Sequence, residues 1–395
     1  MSEDTCVVAP TIRNPAFLRK YVANAREHGH ADRLHVCLVT EEFCDTAAMR
    51  SMLDDLGVPG RVFAAADRRE WFEEHGLAEY ADLVPAESHA QTSFGLLYMW
   101  ANDFEVGVFL DDDTRPHPEF DFFGGHYRNL GRDGPVETRS SDTRWVNVLD
   151  GVADLYPRGY PYGATEETTT RETAPTGEVV ASQGLWTGVP DLDAVRILAD
   201  GDTRGQSSVR LSRADYDDPL FAVAPGNYTT VCSMNLAFRR EVVPAFYQLP
   251  MDDNPWGVGR FDDIWSGVLL KRAADALGRT LLTGTPLCVH EKAPRSTFGD
   301  LRAEAPALEL NEHLWRIVDG VCESDDSQAS RSAGSGAAGT EADSFRGVAR
   351  ATAEALRRVE PGLDNDDFLP YVADHLDRWL DCLAALDRDR VPADD

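Results

Sequence analysis

VGVFLDDDTRP, residues 106–116, joins a short apolar run to three consecutive aspartates. Val106 to Leu110 have the length and character of a parallel strand covered on both faces. The run stops at Asp111, Asp112 and Asp113, followed by Thr-Arg-Pro. In an open α/β sheet, ligands bind just beyond the carboxyl ends of the strands. Three adjacent carboxylates repel one another unless a positive group compensates. A divalent cation does so, and hard oxygen ligands suit Mg²⁺ or Mn²⁺, which commonly arrive with substrate phosphates. A solvated acidic turn is the other reading of the same residues.

Upstream, the pattern alternates. TCVVAP (5–10) is a strand, and Pro15 opens a helix with Phe17, Leu18, Tyr21 and Val22 on one face. RLHVCLVT (33–40) is a second strand, AAMRSMLDDLG a helix stopped by Gly57, and RVFAAA (61–66) a third strand. Ser88 caps a helix carrying Phe94, Leu97 and Tyr98. This alternation predicts a parallel, helix-covered sheet of nucleotide-binding type. No GxGxxG or GxxxxGK loop accompanies it, so neither a dinucleotide fingerprint nor a P-loop is present.

Downstream, WVNVLD (145–150) suggests a strand, and residues 158–186, rich in Gly, Pro and Thr, a long loop. YTTVCSMNLAFRR (228–240) predicts a strand, with a helix from Val242. GRFDDIWSGVLLKRAADALG (259–278) is a loop entering an amphipathic helix, and LLTGTPLCVHEK (281–292) gives one or two strands with His290 at the tip. Low-complexity residues 324–343 predict a linker or surface insertion. The expected organisation is a catalytic domain over 1–323, that linker, and a helical region over 344–395, where Val348, Ala351, Ala355 and Leu356, then Leu376, Trp379, Leu380 and Leu383, recur at helical spacing.

The chain has 395 residues and a formal charge of -30, with acids spread throughout. Its lysines are Lys20, Lys271 and Lys292 alone. Diffuse acidity with lysine depletion points to life in high salt, where screening weakens self-repulsion. The missing basic footprint argues against nucleic acid as a partner. Seven scattered cysteines without a CxxC pair form neither a disulfide framework nor a zinc site. The acidic start MSEDTC carries no signal peptide, and no apolar run approaches a membrane span. A soluble, reduced, cytoplasmic protein is expected, and association into a homo-oligomer is left open.

Four stretches, in order over residues 5–300, resemble the reversibly glycosylated polypeptides, the family that contains UDP-arabinopyranose mutases. They are VVAPTIRN (7–14), FLDDDTRP (109–116), RGYPY (158–162) with QGLWTGVPDLDA (183–194), and SMNLAFRRE (233–241) with GRFDDIWSG (259–267) and VHEKA (289–293). The resemblance implies an α/β fold of the GT-A type, a nucleotide-diphospho-sugar-binding fold with a mostly parallel central sheet; the small C-terminal helical appendage, read from its spacing, lies outside the resembling part. It also implies a UDP-sugar substrate and Mn²⁺ or Mg²⁺ at the aspartates, where a metal bridging both phosphates stabilises charge as UDP departs.

By that resemblance Asp111 and Asp113 are metal ligands, with Asp112 on the nucleotide side and His290 as a further ligand. Lys292 meets the diphosphate as a point charge. Thr11 and Arg13 lie at the nucleotide end, with a structural turn as the alternative. Arg158 corresponds to the family's reversibly glycosylated arginine. A guanidinium stays protonated and is a poor nucleophile, so gripping phosphate or the leaving group is the competing role. Arg171, in RETAPT (171–176), matches a second family arginine only across a six-residue insertion. Asp262 and Asp263 either face the sugar or compensate a helix dipole. Trp186 stacks on the sugar or fills core, and Asp191 and Asp193 match the family's P-D-x-D without an assigned role. The plant-type pattern has a lysine in the helix before the aspartates, whereas SHAQTSFG (88–95) has none.

The activity implied is a metal-dependent UDP-sugar mutase, an isomerase interconverting pyranose and furanose rings with reversible self-glycosylation. A UDP-sugar-dependent glycosyltransferase of surface polysaccharide or glycoprotein synthesis is the alternative. A non-catalytic partner subunit is disfavoured by the intact set of charged residues.

Overall fold

The computed structural model describes residues 4–251, 253–332, 343–358 and 362–389. Its strands are β1 (Thr5–Pro10), β2 (Leu34–Val39), β3 (Gly60–Phe63), β4 (Val106–Leu110), β5 (Thr114–Pro116), β6 (Pro135–Ser141), β7 (Thr169–Pro175), β8 (Val179–Gly188), β9 (Leu220–Val223), β10 (Asn235–Arg239) and β11 (Thr280–His290). They form one sheet in the order β3-β2-β1-β4-β10-β8-β11-β9-β6-β7, with β5 paired to β11. β1 pairs in parallel with both β2 and β4, β2 with β3, and β8 with β11. β10 enters antiparallel between β4 and β8, so β4, β8 and β11 end at the same edge. That edge carries the aspartates.

The helices are α1 (Leu18–Glu27), α2 (Thr46–Leu56), α3 (Ala65–Glu74), α4 (Ser93–Ala101), α5 (Phe122–Leu130), α6 (Ala194–Asp200), α7 (Asp262–Ala276), α8 (Thr297–Ser332), α9 (Phe345–Arg357) and α10 (Phe368–Asp389). They cover both faces of the sheet, as the continuous apolar strands require. Strand periodicity divides the core: Cys6, Val8 and Phe109 join one apolar cluster, and Val7, Ala9, Val108 and Leu110 the other. Gly57 ends α2 in the left-handed conformation, as its position predicted.

Several expectations are corrected. β3 stops at Phe63, and Ala65 begins α3, where Asp67 accepts from the Ala64 amide at 2.8 Å. Residues 145–150 are turns, not a strand, with Trp145 making an isolated bridge to Tyr228. The predicted loop over 158–186 contains β7 and most of β8, a central strand. Its loop-like Ser182 and Gln183 are buried and hydrogen-bonded, Ser182 to His126 on α5 and Gln183 to the Thr230 carbonyl before β10. Gly184 is required there, since a Cβ would sit 2.2 Å from the Asn235 side chain. Within 228–240 only β10 is strand, and a 3₁₀ turn over Arg240–Ala245 replaces the helix expected from Val242, with Pro244 inside it. Of the low-complexity segment, 324–332 continue α8, and 333–342 lie outside the described residues.

α9 and α10 pack into the same apolar cluster as α4 and α7. Trp379 stacks on Tyr247 with ring centroids 4.8 Å apart and donates to the Val243 carbonyl at 3.1 Å. No described helix is long and apolar enough to cross a membrane.

Candidate functional site

The carboxyl ends of β4, β8 and β11 and the start of α7 enclose a cavity of about 210 Å³. Asp111, Asp113, His290, Lys292, Arg158, Asp191, Asp262 and Asp263 all line it. The register brings the parts together. β5 turns back to pair with β11, matching Thr114 to His290, and the Glu291 amide donates to the Asp113 carbonyl at 2.7 Å.

The three aspartates diverge. Asp112 turns toward the first strand, where the Thr11 hydroxyl donates to it at 2.8 Å and Arg13 lies 3.5 Å away. Burial raises the Asp112 carboxyl, against those two contacts. Asp113 faces His290, with Oδ2 3.6 Å from Nε2. Burial pushes the Asp113 carboxyl up, but His290 outweighs it and leaves it below the usual range. Asp111 faces His89 Nε2 at 3.7 Å. The aspartates are therefore a divided set with distinct partners, not a solvated turn.

Arg158 is nearly buried between carboxylates from two other stretches. Its Nε donates to Asp191 Oδ2 at 3.0 Å, Nη2 to Asp263 Oδ2 at 3.1 Å, and Nη1 to the Arg260 carbonyl. Burial alone would lower its pKa, yet Asp191 and Asp263 hold it well above the ordinary value. Burial likewise pushes Asp191 up, and Arg158 and Lys292 more than reverse that, keeping it well below the usual carboxylate range. Asp263 is raised, chiefly by burial. Asp262 is lowered: burial raises it, but His89 Nδ1, donating to Oδ2 at 2.6 Å, prevails.

Both acids lie in the first turn of α7, as compensation of its dipole would require, but both are buried and turned to the cavity. Lys292 is buried too. Among the described residues its Nζ has no hydrogen-bond partner, and the carboxylate beside it is Asp191 at 3.8 Å. An unsatisfied buried ammonium is costly, and here it faces a polar cavity.

Six sequence-derived residues fall outside the cavity lining: Thr11, Arg13 and Asp112, grouped beside the first strand, and Arg171, Trp186 and Asp193. Arg171 sits on the exposed strand β7 and pairs with Asp150 at 2.6 Å, so it does not line the cavity. Its Thr/Glu-rich surroundings form the sheet's outer edge, which accounts for the loop-like composition. Trp186 is core: its ring is buried among apolar residues, because its β8 position points away from the cavity. Asp193 caps α6, accepting from the Arg196 amide at 3.0 Å and the Tyr162 hydroxyl at 2.8 Å.

His89, Arg260, Arg295 and Ser233 line the cavity without having been singled out. His89 stood in the stretch noted for its missing lysine, and Arg260 in the GRFDD motif. Ser233 opened the quoted SMNLAFRRE stretch, and nothing marked Arg295. A larger cleft of about 450 Å³ opens beside β3 among Arg50, Asp67 and Trp71, and none of the motif residues reach it.

Among the described residues, no three His, Cys, Asp or Glu side chains converge closely enough to hold a metal ion as they stand. The donor chemistry nevertheless suits one. Two carboxylates and an imidazole occupy adjoining strand ends, and His290 Nδ1 donates to the Val189 carbonyl at 2.7 Å, which directs Nε2 toward Asp113.

The family model for "Reversibly glycosylated polypeptide" matches residues 148–335. UDP-arabinopyranose mutase 1 of Arabidopsis thaliana is 34% identical over 160 residues, 40% of this chain and 40% of the relative. The match thus spans well under half the length of that relative. UDP-arabinopyranose mutase 3 of the same plant is 34% identical over 234 residues, 58% of each chain. Among solved structures, a mannosyltransferase of Pyrobaculum calidifontis in complex with GDP-mannose and Mn²⁺ superposes with a TM-score of 0.35 at 14% identity, covering 99% of this chain and 88% of that one. The family match begins ten residues before Arg158 and takes in Asp191, Asp263 and Lys292, the residues that grip one another across the cavity. Over residues 148–335 the chain matches the reversibly glycosylated polypeptides, and the relatives it resembles are UDP-arabinopyranose mutases.

Proposed function

We propose that the protein is a metal-dependent UDP-sugar mutase that interconverts the pyranose and furanose forms of a UDP-sugar such as UDP-arabinose. The observation that carries this reading is the Asp191–Arg158–Asp263 cluster facing Asp111 and Asp113 across one small polar cavity, in a chain whose named relatives are such mutases.

Asp111, Asp113 and His290 would hold Mn²⁺ or Mg²⁺. Such an ion supplies charge neutralisation for the diphosphate as the bond to the sugar weakens. Thr11, Arg13 and Asp112 bind the nucleoside end, and Lys292, short of a hydrogen-bond partner, takes a phosphate oxygen. The bond between the anomeric carbon and the diphosphate oxygen breaks, with the electron pair leaving on UDP. Asp262 and Asp263 stabilise the positive charge that develops on the sugar. A second sugar hydroxyl bonds to the anomeric carbon and gives its proton to Asp263; that proton passes to the ring oxygen as its bond to the anomeric carbon breaks, and the same diphosphate oxygen then recaptures that carbon, so no group is transferred.

Arg158 acts electrostatically in this scheme. Each guanidinium nitrogen is already committed to an acceptor, and two carboxylates oppose its deprotonation. It holds the departing UDP near the sugar and fixes Asp263. The reaction belongs in a salt-rich cytoplasm.

The test is NMR of the purified protein in high salt with Mg²⁺ or Mn²⁺ and UDP-arabinopyranose, no acceptor present. UDP-arabinofuranose is the expected product. Stoichiometric free UDP, or sugar attached to protein without ring change, would replace the mutase with the glycosyltransferase.

A further inference from the structure

His89 lies between Asp262 on α7 and Asp111 at the end of β4. It sits just before α4, on a 3₁₀ turn (His89–Thr92) capped by Ser88. Its Nδ1 donates to Asp262 Oδ2 at 2.6 Å, and its Nε2 faces Asp111 Oδ1 at 3.7 Å. His290 repeats this arrangement from the opposite side: Nδ1 donates to the Val189 carbonyl at 2.7 Å, and Nε2 faces Asp113 Oδ2 at 3.6 Å.

In each case one ring nitrogen is anchored by an acceptor, and the other is turned toward one of the two outer aspartates. Imidazoles that bind metals are held this way, with the second nitrogen donating to a carboxylate or a backbone carbonyl that fixes the ring. His89 has the carboxylate version and His290 the carbonyl version. A second, independent sign that the cavity is built for a charged ligand is Lys292, buried with Nζ unpartnered by any hydrogen bond and facing the same space.

We propose that His89 is a second imidazole ligand of the divalent cation, which on binding draws the His89–Asp111 and His290–Asp113 pairs together, since as they stand no three of these side chains converge among the described residues, and that Asp262 serves this site by orienting His89. The proposal rests on the nucleotide-sugar reading above and deepens it in one respect, the choice of metal. Carboxylate and carbonyl oxygens suit Mg²⁺, whereas imidazole nitrogen favours transition metals. A set with two imidazoles therefore selects Mn²⁺ over Mg²⁺. It also ties metal occupancy to the carboxylate on the sugar side, since Asp262 cannot move toward the sugar without releasing the His89 ring.

The experiment is Mn²⁺ binding by the full-length protein, with and without UDP. Pulsed EPR counts imidazole nitrogens coupled to the ion, and calorimetry gives Mn²⁺ and Mg²⁺ affinities. The native protein should show two histidine couplings. His89→Gln should retain one and lose about 10-fold or more in Mn²⁺ affinity, with Mg²⁺ affinity changing far less. Asp262→Asn, which keeps a hydrogen-bond acceptor for the ring, should weaken Mn²⁺ by about 10–100-fold, as loss of an outer partner does. Circular dichroism of both variants establishes that they fold.

A native spectrum with one coupling, removed by His290→Gln and unchanged by His89→Gln, would overturn the role of His89 and leave the cation site standing. Mn²⁺ failing to bind under either condition would overturn the proposal together with the metal-dependent reading beneath it.

Discussion

Removing the Arg158 guanidinium tests the electrostatic reading most directly. The side chain is 12% exposed, and its two carboxylate partners, Asp191 and Asp263, are 8% and 4% exposed. Breaking a buried pair by deleting one partner costs about 3–5 kcal/mol, because a buried charge is left uncompensated. Asp191 keeps Lys292 at 3.8 Å, and Asp263 keeps the Ser233 amide at 3.3 Å, so neither is wholly stranded. Arg158→Ala should therefore fall at about 4 kcal/mol, within that range. Arg158→Lys retains the charge but not the fork, losing contacts worth about 1.5–3 kcal/mol each and recovering one. Of its three contacts two stay lost, so it should destabilise by about 3 kcal/mol, two such contacts at the low end of the range. The assay is urea unfolding followed by tryptophan fluorescence, with midpoints compared at constant slope. The double variant Arg158→Ala/Asp263→Asn discriminates further: removing the stranded charge should restore part of the loss. Arg158→Ala costing under about 1 kcal/mol, the value of an ordinary hydrogen bond, would refute the reasoning, as would a double variant less stable than the single one.

Asp113→Ala should abolish Mn²⁺-dependent binding of UDP-arabinose in calorimetry; unchanged affinity would remove the metal from the site. Asp191 has its carboxyl held below the usual range by Arg158 and Lys292 against the effect of burial, so it stabilises the fold above the unfolded aspartate pKa of about 3.9 and loses that contribution as pH falls through its lower folded value. Asp191→Asn should accordingly flatten the fall in urea midpoint between about pH 5 and pH 2, and a parent and variant falling in parallel would exclude Asp191 as a source. With a formal charge of -30, the thermal midpoint should climb as KCl is raised to molar levels, where the Debye length shrinks to about 3 Å; a flat or falling midpoint would dismiss adaptation to salt.

What the sequence disclosed followed from local order. β4, with Asp111 immediately after it, is an apolar run with a sharp stop, and α2 ends at a glycine, so each is visible within a few residues. β8 was hidden because its interior is polar: Ser182 and Gln183 find partners on α5 and the segment before β10, which no local window contains. The cavity divides the same way. Arg158, Asp191 and Asp263 each stood in a recognisable stretch, but their mutual grip depends on three chain segments meeting. Trp186 stood in such a stretch as well and proved to be core. His89 was passed over because a single histidine at a helix start has no spacing that relates it to Asp111 or Asp262.

The lysines carry the argument one step further. Lys20 is exposed, whereas Lys271 and Lys292 are buried, so the depletion belongs to the surface and spares positions where an interior cation is needed. The two buried ammonium groups are not alike. Lys271 donates to Asp275 at 2.5–2.7 Å and to the Ala224 carbonyl at 3.2 Å, and its role is complete within the fold. Lys292 sits beside Asp191 without a hydrogen bond to it, facing the cavity with its donors unused. Burial lowers the pKa of both, so neither position favours charge for its own sake. A fold that otherwise discards lysine has kept one where it is unsatisfied. That cost makes sense when an anion arrives to accept the hydrogen bonds, and a diphosphate spanning Lys292 and the Asp111–Asp113 edge does so. Lys292→Met, close in volume and uncharged, should then leave stability intact or raised while weakening UDP binding; a variant that loses stability and keeps UDP affinity would make Lys292 a structural partner of Asp191 and nothing more.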